Sequence, residues 1–143
     1  MLEAQPDSRF RQENLAVEYH LMGSAVLEQG RLGEAEDWYM RSAALTEELG
    51  NQSRLAMCYH QLGRVAQLRG QLEQAEQWYG KSLAIKQALD NRPGMASSYG
   101  QLGLLAEVQG NINAALDWTV RCVALFEQFP HPATGPGHLS WRV

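Results

Sequence analysis

The chain has few cysteines and few basic residues, and both shortages exclude classes of protein. Only two of its 143 residues are cysteines, Cys58 and Cys122, so it cannot build the disulfide framework of a small secreted domain. Twelve lysines and arginines face sixteen aspartates and glutamates, for a net charge of -4. Because a nucleic-acid-binding surface is basic, we expect no nucleic-acid partner. The shortage of cysteines favours a reducing compartment.

Long apolar runs are also missing. No stretch approaches the ~20 consecutive apolar residues that a membrane span needs, and residues 1–7 lack the basic and apolar regions of a secretory signal. The composition, 45% hydrophobic and 20% charged, is that of a folded chain rather than a disordered one. These features predict a soluble, cytoplasmic protein of one domain, with no membrane partner.

What the sequence does contain is an internal repeat. Shifting the chain by 40 residues superimposes tyrosines, glycines, alanines and tryptophans in three successive segments. A fixed period of this size is typical of a stacked array of small units. The recurring positions are Tyr19/Tyr59/Tyr99, Gly23/Gly63/Gly103, Gly30/Gly70/Gly110, Ala35/Ala75/Ala115, Trp38/Trp78/Trp118 and Ala44/Ala84/Ala124.

Each unit is predicted to form two helices. Apolar and small residues recur at helical spacing, and a glycine such as Gly70 ends the first helix in a left-handed conformation. First helices are expected near 8–29 and 93–109, and second helices near 32–49 and 112–128. The predicted organisation is a lead-in at 1–12, three units at about 13–50, 53–90 and 93–130, and a Pro/Gly-rich tail at 131–143.

Small residues predict how the two helices of a unit pack. Gly63 and its equivalents lie inside a helix, where glycine costs about 1 kcal/mol relative to alanine, so we expect the partner helix to approach too closely for a Cβ. Tyr39 and Tyr79 fill the adjoining space, whereas Thr119 underfills it in the third unit. Cys122 takes the small slot of Ser42 and Ser82, and the tryptophans are interpreted as inter-helix packing residues.

The pattern of these positions resembles the tetratricopeptide repeat (TPR). The resemblance covers about residues 13–130 and rests on spaced positions that recur in each unit. The 40-residue unit is similar to the longer repeats of Leu-Gly-Asn adaptors and of the C-terminal arrays of bacterial signalling ATPases. The resemblance implies an all-α fold, a right-handed α-solenoid of three helical hairpins. In the second unit the pattern is carried by Tyr59, Leu62, Gly63, Ala66, Gly70, Ala75, Tyr79 and Ser82.

The resemblance also implies a binding surface on the concave face, which the first helices line. A mixed polar and apolar face suits a peptide or a helix of a partner protein, so the predicted function is a non-catalytic protein-interaction module. The alternative is a self-assembling or regulatory sensor segment of a larger signalling ATPase. The predicted partner-binding residues are Val17, His20, Ser24, Met57, His60, Gln61, Arg64, Gln67, Gln101, Leu104 and Glu107.

No catalytic, cofactor or metal site is predicted. The sequence has no Ser-His-Asp arrangement and no glycine-rich phosphate loop. His20 and His60 lie one unit apart, and about 10 Å separates stacked helices, while Cys58 points away from His60 along its own helix. Both histidines are therefore interpreted as solvent-facing residues of the groove.

The C-terminal end is predicted to be incompletely covered. The last helix is apolar on several sides, and Pro130 and the residues that follow cannot continue it. Either the tail folds back over this end, or two copies pair, or the chain is part of a longer protein. If copies pair, the expected self-association residues are Val120, Phe126 and Phe129.

Overall fold

The structure, a computed structural model, describes residues 6–127, and their side chains from residue 8 onward. All regular secondary structure in this part of the chain is helical, as predicted. The helices are α1 (Pro6–Glu28), α2 (Leu32–Leu49), α3 (Gln52–Leu68), α4 (Leu72–Ala88), α5 (Arg92–Val108) and α6 (Ile112–Glu127).

Glycines and asparagines set the ends of these helices. Gly30, Gly70 and Gly110 have φ values of 78°, 77° and 80°, the left-handed conformation expected for a residue that follows a helix. Asn51 and Asn91 begin α3 and α5, where each side chain accepts a hydrogen bond from a backbone N–H of the first turn. The turns between helices are therefore short, and successive helices run antiparallel.

Three helical hairpins, α1–α2, α3–α4 and α5–α6, stack in chain order and form a right-handed α-solenoid. Each helix contacts the next one along the chain, so the buried core runs through the junctions between hairpins. Tyr39 and Leu62 belong to the cluster that joins the first hairpin to α3, and Tyr79 and Leu102 to the one that joins the second to the third. The unit limits 13–50, 53–90 and 93–130 stay a prediction, and residues 1–5 and 128–143 lie outside the described part.

The repeated mid-helix glycines make room for tyrosine rings. A Cβ added to Gly63 would lie 2.8 Å from ring atoms of Tyr79, and one on Gly23 would lie 2.9 Å from the ring of Tyr39. The expected lack of room for a Cβ is therefore confirmed in these two units, and the obstructing atoms belong to a buried tyrosine ring of the partner helix rather than to its backbone. At Gly103 the nearest atom is the Trp118 Cβ at 3.5 Å, since Thr119 replaces the tyrosine there.

Hydroxyl groups join the two helices of the first two hairpins at the small slot. Ser42 Oγ donates a hydrogen bond to the Ala16 carbonyl, and Ser82 Oγ donates one to the Ala56 carbonyl, each at 2.8 Å. In the third hairpin the Cys122 thiol lies 3.9 Å from the Ala96 carbonyl. The packing role predicted for Cys122 is confirmed, with a longer and weaker contact than serine makes.

The tryptophans pack between the helices of each hairpin. Their rings lie against those of Tyr19, Tyr59 and Tyr99, with centroid distances of 5.8, 5.5 and 5.8 Å, within the usual range for aromatic pairs. Arg41 stacks over Trp38 and Arg121 over Trp118, each at 4.9 Å. The tryptophan positions are thus structural, as the sequence predicts.

Candidate partner-binding surface

The residues predicted to bind a partner lie on α1, α3 and α5, the first helices of the three hairpins. Their exposure varies along this face. Met57 and Leu104 are 51% and 52% exposed, and Arg64 and Glu107 are also exposed. The remaining members are half-buried and form the base of the predicted surface. They are Val17, His20, Ser24, His60, Gln61, Gln67 and Gln101.

Three of the predicted residues meet at one pocket between α1 and α3. Ser24 of α1 lies opposite Gln61 and Arg64 of α3 around a cavity of about 240 Å³. The Arg64 guanidinium donates a hydrogen bond to the Gln61 side-chain oxygen at 3.1 Å, and the other lining residues are Leu27, Glu28, Tyr39 and Leu68. The pocket therefore combines an exposed cation on α3 and the exposed Glu28 carboxylate on α1 with apolar and hydroxyl-bearing walls.

Tyrosine hydroxyls engage two further members of the predicted set. The Ser24 and Tyr39 hydroxyls lie 2.9 Å apart, and the Tyr79 hydroxyl donates to the Gln67 Oε1 at 2.9 Å. Burial raises the pKa of Tyr79 to about 12, so its hydroxyl stays protonated and remains a donor at neutral pH. Ser24 and Gln67 thus position the buried tyrosines beneath the groove.

The interpretation of His20 and His60 as solvent-facing is wrong. Both are half-buried, and their rings pack against Tyr39 and Tyr79 with centroids 5.1 and 5.2 Å apart. Burial, with smaller contributions from the positive charges of Lys86 and Arg64, lowers the pKa of His60 from 6.5 to about 4. With this pKa, His60 is uncharged at neutral pH and adds no positive charge to the groove. Burial also lowers the pKa of His20.

A buried polar contact at each junction escaped the sequence analysis. At the second junction Lys86, only 7% exposed, donates a hydrogen bond from its Nζ to the Ser98 Oγ at 3.0 Å, and burial lowers the Lys86 pKa. At the first junction the same repeat positions hold Thr46 and Cys58. The Cys58 sulfur lies 3.9 Å from the His20 Nδ1. The signal in the sequence for the contact at the second junction is Lys86, which stands at the repeat position of Thr46.

The third hairpin contains a cavity that is larger than the pocket between α1 and α3. It measures about 450 Å³ and lies between α5 and α6, with Leu104 and Glu107 of the predicted set on its wall. Val120 and Phe126, predicted for self-association, are 64% and 54% exposed on α6. Phe129 lies outside the described residues. Whether these residues mediate association stays a prediction.

In residues 6–127 no group of three or more histidine, cysteine, aspartate or glutamate side chains is arranged to hold a metal ion. Among the described helices none is long and apolar enough to cross a membrane.

Solved structures provide the first comparison. BtubC from P. vanneervenii is 23% identical, with a TM-score of 0.75, over 91% of this chain and 53% of its own. The TPR domain of Arabidopsis FLU is 18% identical, with a TM-score of 0.75, over 82% of this chain and 99% of its own. MamA is 27% identical, with a TM-score of 0.67, over 81% of this chain and 61% of its own. This chain therefore spans about half the length of BtubC, and the likeness to BtubC and FLU shows a shared fold.

Sequence comparison gives the family. No curated protein matches the chain, whereas the family described as tetratricopeptide repeat matches residues 14–88, more than half of the sequence. The match covers the first two hairpins, where the glycine–tyrosine packing and the serine hydrogen bonds are both present. The chain belongs to the tetratricopeptide repeat family.

Proposed function

We propose that this chain is a non-catalytic protein-interaction module that binds a peptide or a helix of a partner protein in its concave groove. TPR domains generally mediate protein–protein interaction and are typically non-catalytic scaffolds. The observation that carries the proposal here is the pocket where Ser24, Gln61 and Arg64 meet between α1 and α3. Its position between two stacked units suits a ligand that runs across several first helices.

Arg64 determines the charge of the expected ligand. It is exposed, and its hydrogen bond with Gln61 leaves further guanidinium donors for a carboxylate. Neutral His60 supplies no second cation, so a single acidic side chain is the charged feature that the groove can select. We therefore expect the bound segment to place an aspartate or glutamate at Arg64.

Exposed apolar side chains on the first helices determine which other residues the bound partner segment is expected to contain. Leu21 of α1 is 60% exposed, Met57 of α3 is 51% exposed and Leu104 of α5 is 52% exposed, one for each unit of the array. A partner that buries them gains about 25 cal/mol for each Å² of apolar surface removed from water. The proposed ligand thus combines apolar side chains with one acidic residue.

Peptide display on the immobilised chain tests this function. Selected peptides are expected to carry an acidic residue among apolar ones, and Arg64→Glu is expected to weaken their binding at least about tenfold, since a close charged contact is worth on the order of 1.5–3 kcal/mol. Arg41→Glu, on α2, is the matched control and should leave Kd unchanged. Failure to select peptides, or equal effects of the two charge reversals, would contradict the proposal.

Two finer assignments belong to the same proposal. The 40-residue period supports an assignment of the array to the long-repeat TPR type, and the two free cysteines favour a cytoplasmic protein. The alternative, a self-assembling or regulatory sensor segment of a larger signalling ATPase, also stays a prediction, and the exposed apolar side chains of α6, Val120 and Phe126 among them, are the feature that supports it.

A further inference from the structure

The third hairpin lacks two rings that both other hairpins contain. In the second hairpin the Tyr79 ring is completely buried and lies against Gly63. The His60 ring packs on it, with the two centroids 5.2 Å apart. Tyr39 and His20 repeat this pair in the first hairpin, with a centroid distance of 5.1 Å. A tyrosine ring that packs against a histidine ring is therefore part of the repeat.

At the same repeat positions the third hairpin has Thr119 and Gly100, and a cavity of about 450 Å³ lies there between α5 and α6. Both residues line it, as does Gly103, the equivalent of Gly63. The Thr119 hydroxyl donates a hydrogen bond to the Ala115 carbonyl of its own helix, and Gly100 contributes no side chain. The cavity thus corresponds to the space that the pair of rings fills in the other hairpins.

The rim of this cavity is apolar at positions where the second hairpin is charged. Leu116 stands at the repeat position of Glu76, and Leu104 stands at that of Arg64. Both leucines line the cavity, although they are 57% and 52% exposed. Because Glu76 and Arg64 are themselves exposed, packing against a neighbouring hairpin does not explain the two leucines. An apolar rim around a cavity favours an apolar occupant.

One acceptor on the wall specifies the polar group of the occupant. In the second hairpin the Tyr79 hydroxyl donates a hydrogen bond to the Gln67 Oε1 at 2.9 Å. Glu107 stands at the repeat position of Gln67 and lines the cavity. Its carboxylate accepts hydrogen bonds and cannot donate them. An occupant that repeats the arrangement of the second hairpin is therefore an aromatic ring with a hydroxyl donor, which is a phenol.

We propose that the cavity between α5 and α6 binds the phenol ring of a tyrosine in a partner segment, with the tyrosine hydroxyl donating to the Glu107 carboxylate. The bound ring lies against Gly103, as Tyr79 lies against its glycine, and the Trp118 ring on the cavity wall adds an aromatic contact. Leu104 and Glu107 belong to the surface predicted to bind a partner, so a segment that crosses the first helices reaches the cavity at α5. The inference rests on the proposed function and adds a tyrosine to the bound segment.

The carboxylate of Glu107 distinguishes tyrosine from related side chains. Phenylalanine has the ring but offers no hydrogen-bond donor to the carboxylate. Phosphotyrosine brings about −1.5 to −2 charges to the same position, where the negative charge of Glu107 repels it. We therefore expect tyrosine to bind most tightly, phenylalanine more weakly and phosphotyrosine most weakly, so that phosphorylation of the partner tyrosine releases it from the cavity.

Titration of the ¹⁵N-labelled chain with N-acetyltyrosine amide tests the cavity without a partner segment. We expect saturable amide shift changes on α5 and α6. Thr119→Tyr supplies the missing ring and should weaken this binding at least about tenfold. Asp117→Tyr adds the same ring at an exposed position of α6 outside the cavity and should leave Kd unchanged. Absence of saturable shift changes, or equal Kd values for the parent and Thr119→Tyr, overturns the proposal.

The hydrogen bond to Glu107 has a measurement of its own. N-acetylphenylalanine amide should bind the parent about fivefold more weakly than the tyrosine derivative, because it lacks the hydroxyl. In Glu107→Ala, a substitution at an exposed position, the preference for tyrosine over phenylalanine is expected to disappear. A preference that Glu107→Ala leaves unchanged, or N-acetyl-O-phosphotyrosine amide bound by the parent as tightly as the tyrosine derivative, overturns the proposal.

Peptide selection connects the cavity to the partner segment and separates the two proposals. Peptides selected on the parent chain are expected to contain tyrosine more often than peptides selected on Thr119→Tyr, and equal frequencies overturn the proposal. Arg64→Glu, which tests the pocket between α1 and α3, should leave the binding of N-acetyltyrosine amide unchanged. Loss of that binding in Arg64→Glu would assign the tyrosine to the other pocket and overturn the proposal. Failure of the groove and failure of the cavity therefore give different results.

Discussion

At the scale of single residues, the fold depends on glycines that leave space for tyrosine rings. The Cβ of an alanine at position 63 would lie 2.8 Å from the Tyr79 ring, a distance that forces a shift of a completely buried side chain. We predict that Gly63→Ala destabilises the protein by about 1–3 kcal/mol. Urea unfolding followed by circular dichroism measures this.

The third unit provides the matched control for that substitution. At Gly103 the nearest neighbour of an added Cβ is 3.5 Å away, an ordinary contact, and alanine favours the helix by about 1 kcal/mol. Gly103→Ala should therefore leave stability unchanged or raise it. Equal losses at the two positions would mean that the tyrosine ring is not the reason for the glycine.

His60 makes a second prediction at the residue scale, for acidic solution. Its pKa is lowered from 6.5, the ordinary value that applies to the unfolded chain, to about 4 in the folded protein, so the unfolded chain binds a proton more readily. Its contribution to stability is complete above about pH 6.5 and is lost as the pH falls towards 4. We expect the free energy of unfolding to fall by on the order of 1–3 kcal/mol over this range.

Replacing His60 isolates this effect. Urea titrations of His60→Gln at several pH values should give a flatter dependence between pH 6.5 and 4, because the group that takes up the proton is gone. A parent-like slope in His60→Gln would show that other groups cause the loss of stability.

At the scale of helices, a side chain in the small slot of the second helix contacts a backbone carbonyl of the first helix in each hairpin. Ser82 bonds to the Ala56 carbonyl at 2.8 Å, whereas Cys122 contacts the Ala96 carbonyl at 3.9 Å. We predict that Cys122→Ser stabilises the protein by about 0.5–1.5 kcal/mol and that Ser82→Cys destabilises it by a similar amount. Unfolding in urea measures both variants, and changes of the same sign would contradict this explanation.

Helices and their ends could largely be predicted from the sequence. Periodic small and aromatic residues specify the six helices, and Gly70 has the left-handed conformation expected of it. The reason for Gly23 and Gly63 could not be predicted, since spacing alone does not distinguish an approaching backbone from a side chain. Only the structure shows that the tyrosine of the next helix points at the glycine.

At the scale of the whole molecule, the described residues 6–127 cover the first two hairpins better than the third. Leu125 is the one buried residue of α6, whereas α2 and α4 are both packed against a following helix. The repeat pattern predicted an exposed apolar end and the missing ring at Thr119. It could not predict the resulting cavity, because cavity volume depends on how far the helices stay apart.

The candidate site was predictable by position and less so by environment. Repeat register assigns residues such as Arg64 and Met57 to the first helices, where the structure places them. Burial of His60 against Tyr79, with Lys86 nearby, arises from contacts between helices of different units. One-dimensional spacing carries no information about these contacts, so the histidines were assigned to solvent.

Mapping of a bound peptide by NMR is the most direct test of whether a partner segment binds in the concave groove. With a display-selected peptide added to the ¹⁵N-labelled chain, we expect the largest amide shift changes on α1 and α3, around Ser24, Gln61 and Arg64. The outer face of α2 and α4, where Arg41 and Lys81 are exposed, should be unaffected. Changes confined to that outer face, or to the end of α6 around Val120 and Phe126, would contradict binding in the concave groove.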